Sequence, residues 1–176
     1  MDLGMLILRL VVGALFIGHG TQKLFGWFDG HGLEGTAGFM DSLGYRPGRR
    51  YALIGGLSET VGGSFLVLGL LTPLAAAIIV GMMLNATLAV HLQNGVWVTN
   101  GGYELPLVMG AAAAAIALAG AGTVSVDNIL GLSRLSGVWG LFSVFFGLLV
   151  GAGANSTRQT EEGPVEAEEK EGRQAA

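Results

Sequence analysis

The chain has 176 residues, 51% of them hydrophobic and only 12% charged, with a net charge of −4. Its mean hydropathy of +0.59, concentrated in long apolar runs, belongs to the membrane class and not to soluble domains. No basic patch suits nucleic acid, and with no cysteine the chain carries no disulfide, thiolate metal site or thiol relay of its own.

Apolar windows fall at about 4–25, 51–71, 74–93, 105–122 and 137–154. Each approaches the ~20 residues that a helix needs to cross a hydrocarbon core of ~30 Å. The expected fold is an all-α integral membrane protein: a four-helix transmembrane bundle, with 137–154 as a candidate fifth span. The first run follows the acidic Asp2, not a basic segment, and holds Arg9 and Lys23. A retained helix is therefore expected there, not a cleaved signal peptide. The 31 glycines show no collagen period and read as sites of close helix contact.

The loop 26–50 is rich in glycine and charge, with a short helix expected near 36–43 and Pro47 closing it. Leu71, Thr72 and Pro73 form a tight turn that makes the second and third spans antiparallel neighbours. The 94–104 loop, NGVWVTNGGYE, carries Trp97 and Tyr103, residues suited to the headgroup zone. The expected organisation is a four-helix domain over 1–130, an additional apolar segment over 131–154, and a disordered acidic tail over 155–176. Arg46, Arg49 and Arg50 lie in the 26–50 loop, against little beyond Arg134 on the other side. By the positive-inside rule the 26–50 and 94–104 loops are expected in the cytoplasm, with the tail beside them if there are five spans.

The stretch LRLVVGALFIGHGTQKLFGWF at 8–28 holds Arg9, His19, Gln22 and Lys23. A charge at the centre of a bilayer helix costs roughly 2.5–3.5 kcal/mol on insertion scales, so an anchor gains nothing from four such groups. His19, Gln22 and Lys23 share one helical face by their i, i+3, i+4 spacing. At ~1.5 Å of rise per residue, Lys23 and His91 lie ~3 Å inside the loop-side interface, His19 ~9 Å, and Glu59 and Asn85 ~12 Å. Glu104 sits at the boundary. Arg9 lies ~24 Å from residue 25, toward the other side, although it points within about 40° of Lys23. In GGLSETVGG, Gly55, Gly56, Gly62 and Gly63 stand three and four residues either side of Glu59. They seat the carboxylate against another helix, where Lys23, His19 and Arg9 are the available partners. The cluster predicts a polar cavity suited to proton relay, quinone head-group binding or anion binding; packing ion pairs are the plainer alternative.

These residues carry a resemblance. LRLVVGALFIGHGTQKLFGWF at 8–28 is followed in order by GLEGTAGFMDSLG at 32–44, LSETVGGSFLVLGLLTPLAA at 57–76, AVHLQNGV at 89–96 and NGGYELPL at 100–107. Over about residues 5–130 the sequence resembles the DoxX family of small bacterial and archaeal membrane proteins. The resemblance implies a four-helix membrane domain, with Arg9, His19, Lys23, Glu59, His91 and Glu104 at the polar positions of the motifs. It also implies a link to membrane oxidoreductase complexes, since the family takes its name from a subunit of a thiosulfate:quinone oxidoreductase.

The expected function is a quinone-linked subunit of a membrane oxidoreductase complex in the plasma membrane of a bacterium or archaeon. Glu59 and Lys23 relay protons, while His19, His91, Arg9, Glu104 and Asn85 surround the quinone. No metal is expected and quinone is the expected cofactor; a haem held by His19 and His91 is the weaker alternative, since their depths differ by ~6 Å and nothing else marks a haem site. The expected partners are lipid and other membrane or soluble redox subunits, with oligomer formation left open. The chain shows no flavin or nucleotide fingerprint, so the electron donor falls to another subunit. Two alternatives stand beside this: a membrane scaffold recruiting soluble redox enzymes, and a small-solute transporter, ranked last because no inverted repeat is evident.

Overall fold

The computed structural model describes residues 2–132 and 137–159. Arg134, and all but the first five residues of the expected acidic tail, lie outside the described residues.

The first apolar run forms α1 (Asp2–Phe25) and ends where Gly26 takes a φ of +74°, a conformation open to glycine at little cost. The loop helix, α2 (Gly32–Ser42), starts four residues before the expected 36. The second span, α3 (Gly48–Leu68), begins directly after Pro47, three residues earlier than the hydropathy window. The reason is local: the Gly48 amide donates to the Asp41 carboxylate at 2.7 Å, which gives an otherwise unpartnered helix-start N–H an acceptor. α3 closes on Gly69 in the left-handed region, with Gly69 and Leu70 amides returning to Leu66 and Phe65 carbonyls as in a Schellman stop.

After the turn at Leu71, α4 (Thr72–Ala86) runs back antiparallel, with Pro73 in its first turn. It then widens into a π-helical turn, Thr87–His91, and tightens into a 3₁₀ turn, Leu92–Asn94. The whole helical run 72–94 is long and apolar enough to span. α5 (Glu104–Ala119) has 16 residues, about 24 Å at 1.5 Å per residue, and is the short member of the bundle. A one-turn helix, α6 (Val126–Ile129), precedes α7 (Val138–Ser156).

Among the described residues, four helices are therefore long and apolar enough to cross a membrane: 3–25, 48–68, 72–94 and 138–156. The candidate fifth run at 137–154 is one of them, whereas the expected fourth span is the shorter α5. α1 packs mainly on α3, α3 on α4, and α4 on both α5 and α7. The C-terminal end of α7 returns to the side of the 26–47 loop. There the Gln159 amide donates to Gly44 at 2.8 Å and Arg158 Nε to Leu43 at 2.8 Å.

The seams are built from small residues. Methyl groups on Gly63 and Gly81 would lie 2.6 Å from the Gly13 oxygen and 2.8 Å from the Gly147 oxygen. The α1–α3 and α4–α7 backbones thus approach more closely than any larger residue allows. Between the seams sits a core of Val12, Phe16, Leu66, Ile79, Met109 and Ile116 with interleaved alanines. Outside it, Ile7, Ile54, Val108, Phe145 and Leu149 are exposed. This is the inverted surface of a protein solvated by lipid.

Candidate functional site

Near the loop-side end of α1 and α3, Lys23 Nζ donates to Glu59 Oε1 in an ion pair. Glu59 is 3% exposed and Lys23 28%. The glycines around Glu59 act as the pattern predicts: Gly56 and Gly63 meet α1, while Gly62 meets Ile78 of α4. The carboxylate is thereby wedged between helices. Its second oxygen, Oε2, is buried with no hydrogen-bond partner. Such an atom costs about 1–3 kcal/mol or more when charged, so its persistence calls for an explanation.

A cavity of about 280 Å³ lies beside it. α1 contributes Leu15, Phe16, His19 and Lys23; α3 contributes Glu59; the end of α4 gives Met83, Ala86 and His91. Val98, Gly101 and Gly102 of the connecting loop, with Leu105, Pro106 and Met109 of α5, complete the wall. Most of this lining is apolar. The exposed lining residues, Leu15 and His19 on α1, Val98 and Gly101 on the loop and Leu105 on α5, mark its mouth.

His91 sits in the π-helical turn, a distortion frequent at functional sites. Its Nδ1 lies 2.6 Å from the Gly101 carbonyl oxygen. A carbonyl only accepts, so Nδ1 carries the hydrogen, and Nε2 of the neutral ring is left as an acceptor. The loop is fixed from its other end by Glu104, whose Oε2 accepts from the Val98 amide at 3.0 Å.

Four of the seven residues singled out from sequence, His19, Lys23, Glu59 and His91, line this one cavity. Glu104 lies outside the lining and holds its loop. Asn85 faces away, accepting from the Tyr45 hydroxyl at 2.6 Å. Arg9 is at the opposite end of the bundle and is no partner for Glu59. It is fully buried, donating to the Ala121 carbonyl, to Val124 at 2.7 Å and to Val67 at 3.5 Å. Its direction along α1 suited the cavity, but ~21 Å of axial rise separates it from Lys23.

Two structural residues escaped the sequence reading. Asp127 is buried and caps α4 from a distance, accepting from the Leu71 and Thr72 amides at 2.7 and 2.9 Å. An acidic group opposite buried Arg9 was the available signal. Tyr45 is 2% exposed beneath the Arg158 guanidinium. Burial pushes its phenol above the ordinary tyrosine range, with the Asn85 hydrogen bond and Arg158 pulling the other way. Nothing in the sequence marks it. Among the described residues, no group of three His, Cys, Asp or Glu side chains could hold a metal ion.

The fold and its apolar surface define a multi-pass, all-helical membrane protein. The chain belongs to the DoxX family, whose model matches residues 4–92. That match covers just over half of the chain and holds all four cavity-lining polar residues; it is narrower than the 5–130 over which the motifs were recognised. A protein of Bacillus subtilis (strain 168) described as "Putative oxidoreductase CatD" is 28% identical over 92 residues, 52% of this chain. The chain spans 63% of that relative's length, less than two thirds. No solved structure matches the chain.

Proposed function

We propose that this chain is a quinone-linked subunit of a membrane oxidoreductase complex, and that the cavity between α1, α3, α4 and α5 receives the quinone head group. The observation that carries the reading is the unpartnered Glu59 Oε2, buried at the wall of a mostly apolar cavity. At about 280 Å³ the space lies just under the ~300–1,000 Å³ of small-molecule sites, the scale of a head group and not of a whole lipid. In this reading its mouth faces the phase in which a lipid-soluble carrier travels. The description of the Bacillus subtilis relative as an oxidoreductase points the same way.

A bound quinone supplies the two-electron, two-proton carriage. The chain's own residues hold and move protons. Lys23 offers N–H donors at the cavity wall, Glu59 Oε2 is a free acceptor, and His91, fixed through Nδ1, turns an acceptor nitrogen to a hydroxyl. His19 stands at the mouth. Met83, Met109, Leu105 and Phe16 keep the wall apolar, which strengthens each of these contacts by excluding water. Another subunit brings the electrons, since this chain has no cysteine and no flavin or nucleotide fingerprint. The loops 26–47 and 94–103 face the cytoplasm of a bacterial or archaeal cell in this reading.

The test begins with protein extracted gently from its native membrane. Its lipid extract should contain about one quinone per chain, together with co-purifying redox subunits, and Glu59→Gln should remove the quinone while the protein still assembles. Equal quinone in wild type and variant, or none in either, would overturn the proposal.

A further inference from the structure

Lys23 lines two spaces. Besides the Glu59 cavity it borders a recess of about 280 Å³ on the loop side, formed with Gln22, Asp29, Gly30, His31, Thr36 and Phe39. The two spaces meet at this one side chain. Their linings differ: in the cavity Glu59, His19 and His91 are set in a mostly apolar wall, whereas most of the recess lining is polar, with a carboxylate, an imidazole, an amide and a hydroxyl. Lys23 is 28% exposed against 3% for Glu59, so the ammonium is the accessible member of the pair.

The loop that shapes the recess is held in a costly form. Phe28 and Asp29 both adopt left-handed backbone, with φ of 52° and 59°. For a bulky residue such as Phe28 this conformation is strained and persists only where surroundings enforce it. They do so here. Gln22 Nε2 donates to the Phe28 carbonyl at 3.1 Å, and Gly30 is pressed so closely on α1 that a Cβ would lie 2.6 Å from the Gln22 Cα. The strained turn brings Asp29 and His31 to the rim of the space that Lys23 borders. The neighbouring acid on α2, Glu34, is engaged by Arg49 at 3.1 Å on the exposed surface. The titratable groups at the recess are thus Lys23, Asp29 and His31.

We infer that this recess is the aqueous end of a proton path into the cavity, with Lys23 as its junction and His31 as the group that reloads it. The inference rests on the proton-relay reading of Lys23 and Glu59 given above. A proton passed from the Lys23–Glu59 pair into the cavity leaves the pair one proton short. An imidazolium at His31 returns one across the recess and becomes neutral imidazole, and bulk water recharges it. Imidazole suits that post because one nitrogen can take a proton while the other gives one up.

The experiment is a pH jump on the full chain in lipid nanodiscs. Protonation of Glu59 is followed by the infrared carbonyl stretch of its carboxylic acid, assigned by the band's loss in Glu59→Gln. His31 is exposed, so His31→Ala should fold. It should slow protonation at least about tenfold, with free imidazole in the buffer restoring the rate. Asp29→Asn, which keeps a residue tolerant of left-handed backbone, should slow it less. An unchanged rate in His31→Ala, or a slowed rate that imidazole does not restore, would overturn the path. Quinone content measured on the same samples separates the two proposals. Bound quinone with a His31-independent rate overturns only the path. Absent quinone with a His31-dependent, imidazole-rescued rate overturns only the quinone reading.

Discussion

The two ends of this bundle both bury charge, and they spend it differently. At the end away from the 26–47 loop, Arg9 reaches the carbonyls of Ala121, Val124 and Val67, leaving only Nε without a partner. Both Asp127 oxygens accept backbone amides at the start of α4. These charges knit the 120–127 segment to the helix ends. At the loop end, Lys23 and Glu59 satisfy each other only in part, and the free carboxylate oxygen stands beside open space. Charge in a membrane helix is costly wherever it sits. What marks the loop end as a site is that the unpartnered Glu59 oxygen belongs to a residue that lines a cavity.

The largest effect should come from cutting the staple. Arg9→Met strands buried carbonyls and leaves Asp127 without its cation, and should cost on the order of 3–5 kcal/mol, as for removing one partner of a buried charge network. Thermal unfolding in nanodiscs would measure it. Arg9→Lys should not restore stability, because an ammonium cannot span carbonyls that a planar guanidinium reaches. If Lys does restore it, the contrast between the two ends is wrong. Next comes Lys23→Met, with a loss of about 3 kcal/mol from an uncompensated buried carboxylate. Adding Glu59→Gln should recover most of that loss, so the double-mutant cycle reads a coupling of at least about 1 kcal/mol between neighbours.

Gly63→Ala tests the seam that seats the pair. Its methyl group would lie 2.6 Å from the Gly13 oxygen, so α1 and α3 must separate, at about 1–3 kcal/mol. Removal of quinone in the same variant would show that cavity geometry depends on this contact. The smallest effect belongs to Tyr45→Phe, about 1 kcal/mol for one hydrogen bond and an unpaired Asn85. Because the Tyr45 phenol is held above its ordinary value, the folded state favours its protonated form. That contribution is full below about pH 10, the ordinary tyrosine value, and fades as pH rises further through the raised one. Alkaline titrations of stability should show this loss in wild type and not in Tyr45→Phe.

Much of the arrangement was legible in the sequence. Hydropathy found the helices, and Gly55, Gly56, Gly62 and Gly63 announced that Glu59 sits at a helix contact. Helical depth alone brought His19, Lys23, Glu59 and His91 to one leaflet. It failed for Arg9 as a cavity residue because a shared helical direction does not offset the ~24 Å of axial distance that the same depth reckoning gives. It failed for Asn85 because depth does not say which neighbour a side chain faces, and that neighbour, Tyr45, comes from a loop with no hydrophobic period. The early start of α3 was hidden in a similar way: Arg49 and Arg50 end the apolar window, but the helix begins where Asp41 caps Gly48. The π-helical turn at His91 and the left-handed pair Phe28–Asp29 depend on tertiary packing and leave no local mark.

The most direct measurement is photo-crosslinking with a short-tailed quinone analogue on the membrane-embedded protein, mapped by mass spectrometry. The account predicts labels concentrated in the cavity segments 15–23 and 98–109, strongly reduced in Glu59→Gln. Labels confined to the lipid-facing groove of Leu74, Trp139 and Phe142 between α4 and α7, unaffected by Glu59→Gln, would contradict it.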